Sequence, residues 1–231
     1  MLPPLLLNVI SISIFLIPLY IGLVVIEWKR RQYLIKLKLG TLSKLHFIII
    51  LFLISIILYT TSFLINLFIY NIFLWSNYFF YNVPILKNLS AIIYVMYFFN
   101  NLLLLLFITI FVVTISSLSK KRSIALLYLI LFFIYSICFS DSIMDANLLN
   151  KNIVYVIIGY LNPIKYFIWT NMLITSYTFI DFYGITQIIS DYFNGGYAPF
   201  YNLWMTLLPS LLFITVIAFV YWKKFYWGFK K

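Results

Sequence analysis

IVYVIIGYLNPIKYFIWTNMLITSY, residues 153–177, is the stretch whose reading decides the fold. It is long and apolar enough to cross a bilayer, which takes about 20 residues for roughly 30 Å of hydrocarbon. Yet Pro163 falls near its middle and Lys165 follows two residues on. A proline inside a helix removes a backbone hydrogen bond, and its ring collides with the preceding turn. A lysine at a span centre costs roughly 2.5–3.5 kcal/mol on insertion scales. Whether this stretch crosses or turns back is answered by the charges around it.

Of the 16 Lys and Arg residues, 13 fall into three clusters that separate long apolar runs. The first is Lys29, Arg30, Arg31, Lys36, Lys38 and Lys44; the second Lys120, Lys121 and Arg122; the third Lys223, Lys224, Lys230 and Lys231. Basic loops are retained on the cytoplasmic side, so the clusters mark that side. Four acids (Asp141, Asp145, Asp181, Asp191) lie between the second and third clusters, and Glu27 opens the first. If 153–177 crossed, the last apolar run would carry the third cluster to the opposite side. If it dips in and returns, all three clusters stay together. The expectation is therefore a re-entrant or interfacial helical hairpin over 153–194 on the outer side, turning near Asn162-Pro163, with Lys165 snorkelling outward. Asn194-Gly195-Gly196 reads as a flexible loop before the last span.

The remaining runs read as spans at about 4–26, 47–70, 91–117, 124–140 and 203–222. Pro18 is expected to kink the first, and the fourth is short but sufficient. The loop 71–90, with Trp75, Tyr78, Phe79, Phe80 and Tyr81, reads as an outer interfacial aromatic belt. The basic, aromatic tail 223–231 suits an interfacial end among lipid headgroups. The fold expected is an all-α polytopic membrane bundle: five full transmembrane helices plus one outer re-entrant hairpin, six membrane-embedded segments in one domain over 1–231. The N-terminus would lie outside and the C-terminus in the cytoplasm. Residues 1–26 read as a retained span, because they lack a positively charged n-region and the apolar run is too long for a signal peptide.

Composition agrees. The chain is 65% hydrophobic and 9% charged, with a mean hydropathy of +1.07. No soluble domain has that balance. A net charge of +11 raises nucleic acid as a partner. These charges, however, flank spans and form no basic groove. Lipid headgroups or a cytoplasmic protein fit them better. Cys138 is the one cysteine. It excludes an intrachain disulfide and reads as a small buried side chain. The abundance of Ile, Phe, Tyr, Asn and Lys suits an AT-rich, bacterial genome and a plasma-membrane location.

No catalytic constellation is present. The seven glycines make no phosphate-binding loop. His46 is the sole histidine, sits at the start of the second span, and reads as an interfacial residue. The five expected spans hold no mid-span charge of the kind ion-coupled carriers use. No metal, cofactor or enzymatic role is expected of this chain.

Three features are left to carry function. The segment 27–46 (Glu27-Trp28-Lys29-Arg30-Arg31-Gln32-Tyr33-Leu34-Ile35-Lys36-Leu37-Lys38-Leu39-Gly40-Thr41 and onward) is too long and apolar for a plain loop. Leu34, Leu37, Thr41 and Leu45 share a helical face, and Gly40-Thr41 is expected to break the segment and cap the next helix. It fits equally an amphipathic helix on headgroups and a helix that docks a partner. Polar residues inside spans, Asn66, Asn100 and Asn101 above all, either hydrogen-bond between helices, worth roughly 0.6–2 kcal/mol each, or line a substrate path. Asn162, Pro163, Lys165 and Tyr166 in the hairpin either anchor it at the interface or gate a path.

In this order the motifs resemble the permease subunits of ABC-type exporters of the second export-permease superfamily. In that family an acidic residue closes a span, a cytoplasmic coupling segment follows, and a Pro-x-Ser-Arg/Lys turn opens the next. Glu27, the 29–39 segment and Leu42-Ser43-Lys44 keep that order, with Gly40-Thr41 where a proline often stands. The family also places a re-entrant outer hairpin before its last span, often with Asn-Pro followed by Tyr; Leu161-Asn162-Pro163-Ile164-Lys165-Tyr166 is similar. The family has six spans, and aligned by motif its first is missing here. Met1 then lies inside a longer reading frame, or the chain is a shortened member.

The resemblance implies a non-catalytic permease that pairs with a second permease subunit and binds cytoplasmic ATPase subunits, which hold the ATP and Mg. Glu27, Lys29, Arg30, Arg31, Tyr33, Leu34, Leu37 and Lys38 would couple the two, and the cargo would be peptides, antimicrobial or cytolytic. The rival expectation is a stand-alone immunity or binding protein of the membrane that acts without ATP.

Overall fold

Long apolar runs must satisfy every backbone group internally once they leave water, and helices do so within one segment. The computed structural model describes residues 3–75, 89–118, 121–142, 146–176, 185–186, 188–189 and 194–228, with no side-chain detail for 3–5. Among these the chain is helical, without a strand. In order the helices are α1 (Pro3–Ile10), α2 (Ser13–Arg30), α3 (Tyr33–Leu39), α4 (Lys44–Trp75), α5 (Ala91–Leu118), α6 (Arg122–Cys138), α7 (Ala146–Leu149), α8 (Ile153–Tyr160), α9 (Pro163–Thr175) and α10 (Leu203–Lys224).

Four of the apolar helical stretches are long enough to cross a membrane: Leu6–Arg30, which joins α1 to α2, then α4, α5 and α10. The bent pair α8–α9 makes a fifth if it is counted as one span. These lengths fit a membrane helical bundle. α6, expected as a short fourth span, has the length of that expectation and sits at the lower limit for crossing. Its 17 residues cover about 25 Å at about 1.5 Å per residue, less than the ~30 Å of hydrocarbon.

α5 is the axis of the bundle. It touches α2, α4, α6, α9 and α10. Its apolar window is 67% buried, against 17% for α4 and 11% for α10. α4 and α10 therefore offer broad apolar faces outward, which suits lipid as the solvent, and α5 is walled in by protein. Closest approach is at Gly22 of α2. A Cβ there would collide with Val112 of α5 and come within 3.1 Å of Leu129 of α6. The glycine lets the three backbones meet, and Ser116 Oγ donates to the Gly22 carbonyl at 3.2 Å.

The first span is interrupted at Ser11-Ile12, between α1 and α2, and Pro18 sits inside α2. Ser11 Oγ donates back to the Leu7 carbonyl at 2.9 Å, and side-chain hydroxyls that bond the preceding turn bend helices. Tyr97 of α5 holds this point: its hydroxyl donates to Leu7 O at 2.8 Å and meets Ser11 Oγ at 2.7 Å.

One end of the bundle gathers the described residues of the basic clusters. Lys29, at the end of α2, donates to the Ser117 carbonyl at the end of α5. Lys44, opening α4, donates to Trp222 O near the end of α10 at 2.9 Å, and Tyr221 OH donates to Lys44 O at 2.8 Å. The last carbonyls of a helix have no partner within it and carry partial negative charge, so lysines suit them. The expected grouping of basic segments at one end thus has a direct physical expression. Of the aromatic belt expected over 71–90, α4 carries Trp75, 89% exposed; Tyr78 to Tyr81 lie outside the described residues.

The tail differs from a plain interfacial end. Phe225 and Trp227 fold back onto Phe47, with ring centroids 5.6 Å and 5.3 Å away. Burying this aromatic cluster outweighs leaving it among headgroups.

Candidate functional site: a pinned elbow and a basic cap

α8 and α9 meet at 106°, with the break at Leu161-Asn162. Proline at the first position of α9 explains why a new helix starts there, since its missing N–H has no role at N1. Asn162 is extended (φ −87°, ψ 108°) and caps α9: its Oδ1 accepts from Ile164 N at 3.1 Å. Its Nδ2 donates at 3.2 Å to Ser136 O, a carbonyl in the last turn of α6. One side chain thus closes two helix ends. Tyr166 OH donates to Tyr160 O at 3.0 Å across the break.

The elbow sits deep. The rings of Phe167 and Phe107 lie 5.5 Å apart. Phe107 stands about 24 Å along α5 from Ala91, a helix about 42 Å long. From there α9 runs back toward the start of α5: Asn171 bonds Asn100 and Asn101, and Ile174 packs with Ile93 and Tyr97. The turn expected near Asn162-Pro163 is present, and α9 leads away from the basic end.

Lys165 does not snorkel. It is 1% exposed, and its Nζ lies 3.0 Å from Asp141 Oδ2. Trp169, one turn along the same face of α9, donates its Nε1 to that oxygen at 2.6 Å. Asp141 sits three residues past the end of α6 with φ 61°. That left-handed conformation is one Asp tolerates better than most residues. A buried carboxylate supplies what a snorkelling path supplies elsewhere, a partner for the ammonium. Space for the lysine comes from Gly159 of α8, where a Cβ would lie 2.7 Å from Nζ and 2.8 Å from Cδ.

Asn66, Asn100 and Asn101 all bond across helices. Asn66 Nδ2 donates to Ile10 O at 2.7 Å. Asn100 Nδ2 donates to Phe167 O and Asn171 Oδ1, both at 2.8 Å. Asn101 accepts from Asn171 at 2.7 Å and donates to Tyr59 OH at 2.9 Å. This ladder joins α4, α5 and α9 and leaves little of Asn100 or Asn101 accessible (5% and 1% exposed).

At the basic end, α2 stops at Arg30, and Gln32, with a φ of 61°, turns the chain into α3. Leu34 of α3 is fully buried, Leu37 is partly buried, and Tyr33 and Lys38 are exposed. Leu45 and Thr41 are exposed, so the expected apolar face is confined to Leu34 and Leu37. Thr41 takes φ 67° at the break. The cap of α4 is Ser43 rather than Gly40-Thr41, with His46 N donating to its Oγ at 3.2 Å. Serine suits that role because its hydroxyl can accept from an otherwise unpartnered first-turn N–H. Glu27 accepts from Arg30 and Arg31 at 2.6 Å and 2.7 Å. That hydrogen bond holds the Arg31 guanidinium still further above its ordinary range. Lys29 is 5% exposed and faces inward. Of the eight residues expected to couple, Lys29 and Leu34 are structural, and Tyr33, Lys38, Arg30 and Arg31 present themselves outward.

Sequence reasoning missed Asp141, Trp169, Gly159, Asn171 and Tyr59. A signal was available for the first: one acid just past a short apolar run, and one lysine in the next, are opposite charges that low dielectric drives together. Among the described residues no group of His, Cys, Asp or Glu could hold a metal ion. Chemically, the elbow can hold a turn and bury a charge pair, and the cap can bind anions. No family model, no curated protein and no solved structure matches this chain.

Proposed function

We propose that this chain is the permease subunit of an ATP-driven ABC exporter of peptides, antimicrobial or cytolytic. It pairs with a second permease subunit and works with separate cytoplasmic ATPase subunits that bind ATP and Mg. It sits in a bacterial plasma membrane with the basic end cytoplasmic. The observation that carries the reading is the construction of α3. This seven-residue helix presents Tyr33, Ile35, Lys36 and Leu39 outward while Leu34 is sunk in the main core. It is tied to α2 by one left-handed residue and packs against the tail of α10 at Gly228. A push on its outer face moves α2 and α10 together, which is what a coupling element requires. The pinned elbow before α10 supports the same reading, as a fixed internal element against which the bundle works.

Co-expression with the neighbouring genes and purification in mild detergent tests it. An ATPase should accompany the chain, and Tyr33→Asp with Leu39→Asp should release it without lowering thermal stability. These positions are exposed (46% and 78%), whereas Leu34→Asp would unfold the segment itself. If no ATPase accompanies the chain, the reading fails in favour of a membrane immunity or binding protein that acts alone.

A further inference from the structure

The folded-back tail builds a cleft that the coupling reading does not use. Its walls are Lys38 from α3, Lys44 from the start of α4, Lys223 from the end of α10, and the tail residues Tyr226 and Trp227. Its volume is about 300 Å³. The cleft is built rather than incidental. Phe225 and Trp227 are buried, with their rings 5.1 Å apart. A Cβ at Gly228 would press within 3.1 Å of Ile35, so the tail is seated tightly on α3. Three lysines line the cleft, and no carboxylate among the described residues does. Lys44 spends one of its N–H donors on Trp222 O, and Lys223 lies 4.3 Å over the Phe219 ring. An ammonium carries three donors, so donors are left to spare. Lys44 is also the first residue of α4, whose positive dipole end adds to the field.

Like charges crowded around one opening repel unless an anion joins them. The anion must suit lysines as point charges, which favours phosphate. It must also be found where two apolar helices end beside exposed Trp222. Such a tryptophan marks the level of an aromatic interfacial belt. We infer that this cleft binds the phosphate of an anionic phospholipid headgroup, with the acyl chains lying along the outward apolar faces of α4 and α10. The site ties the tail, α3, α4 and α10 to the lipid composition of that leaflet. It does not depend on the exporter reading.

The test is native mass spectrometry of the full chain released from detergent with added lipid. The probes are phosphatidylglycerol, phosphatidylcholine and inorganic phosphate. One phosphatidylglycerol should be retained in preference to phosphatidylcholine. Lys38→Glu with Lys223→Glu should weaken that retention roughly tenfold or more, given about one lysine's worth of surface attraction lost and reversed at each site. Lys36→Glu with Lys224→Glu, off the cleft but equal in charge, should leave it unchanged. Should the glutamate pair unfold the tail, Lys38→Gln with Lys223→Gln keeps the comparison intact. Equal loss in both pairs would reduce the site to diffuse attraction and overturn the inference. Displacement of the lipid by millimolar inorganic phosphate would reassign the cleft to a soluble phosphate, and capture of an acidic peptide without lipid preference would reassign it to a protein partner.

Discussion

Lys165 and Lys38 are the same residue type solved in opposite ways. Lys165 lies in the elbow, 1% exposed, and is matched one to one with Asp141 and a tryptophan N–H. Lys38 lies on the basic cap, exposed, beside other cations, with no acid among the described residues that line its cleft. In the interior a charge survives only with a partner, because desolvation of each ion costs several kcal/mol. At the water-facing end solvent and headgroups do that work, so cations can accumulate. The elbow's chemistry is therefore internal and fixed, and the cap's is external and exchangeable. This division is the physical basis for proposing partners at the cap and treating the elbow as a pinned element.

The largest effect should come from breaking the buried pair singly. Lys165→Met strips the buried Asp141 of its cation, and is expected to cost about 3–5 kcal/mol in unfolding. Lys165→Met with Asp141→Asn should recover most of that. If the single change costs no more than the double, the pair is not the elbow's pin. Next is Gly159→Ala. Its Cβ displaces the lysine stem and should cost about 1–3 kcal/mol. In a Lys165→Ala background the penalty should vanish, as a double-mutant cycle would record. A persisting penalty would mean that Gly159 serves the α8 backbone instead.

The Asn ladder should be weaker. Asn171→Leu is expected to cost roughly 0.6–2 kcal/mol, the range for interhelical hydrogen bonds in bilayers. On the proposed exporter function, transport in reconstituted vesicles should be retained, because the ladder is closed to a path; loss of transport at parental stability would restore the path reading. Smallest of all is Glu27→Gln on the exposed cap, which should leave the melting temperature at the parental value. A clear drop there would erase the contrast between the two regions.

Much of the contrast is legible in the sequence. Clustered lysines flanking apolar runs foretell one basic end, and Asn162-Pro163 foretells a break, since each rests on local chemistry. What fails needs knowledge of neighbours. Lys165 reads as a snorkeller because its partner, Asp141, stands well before it in sequence, beyond a turn that no periodicity announces. Pro18 reads as the disruption of the first span, yet the helix is interrupted at Ser11-Ile12, where the Ser11 hydroxyl meets Tyr97 of α5. Leu34 and Lys29 look like part of an outward face. Their burial follows from how α3 folds against α2 and how α2 lies against α5, and one left-handed residue, Gln32, sets the first of these.

The measurement that tests the account most directly is sidedness at both ends of the bundle. In a Cys138→Ser background, Tyr33→Cys, Tyr226→Cys and Tyr201→Cys are each probed with a membrane-impermeant thiol reagent, on intact cells and on inverted vesicles. The account predicts that positions 33 and 226 react only in inverted vesicles, and 201 only in intact cells. Reaction of 33 and 226 from opposite sides, or of both from outside, would contradict it.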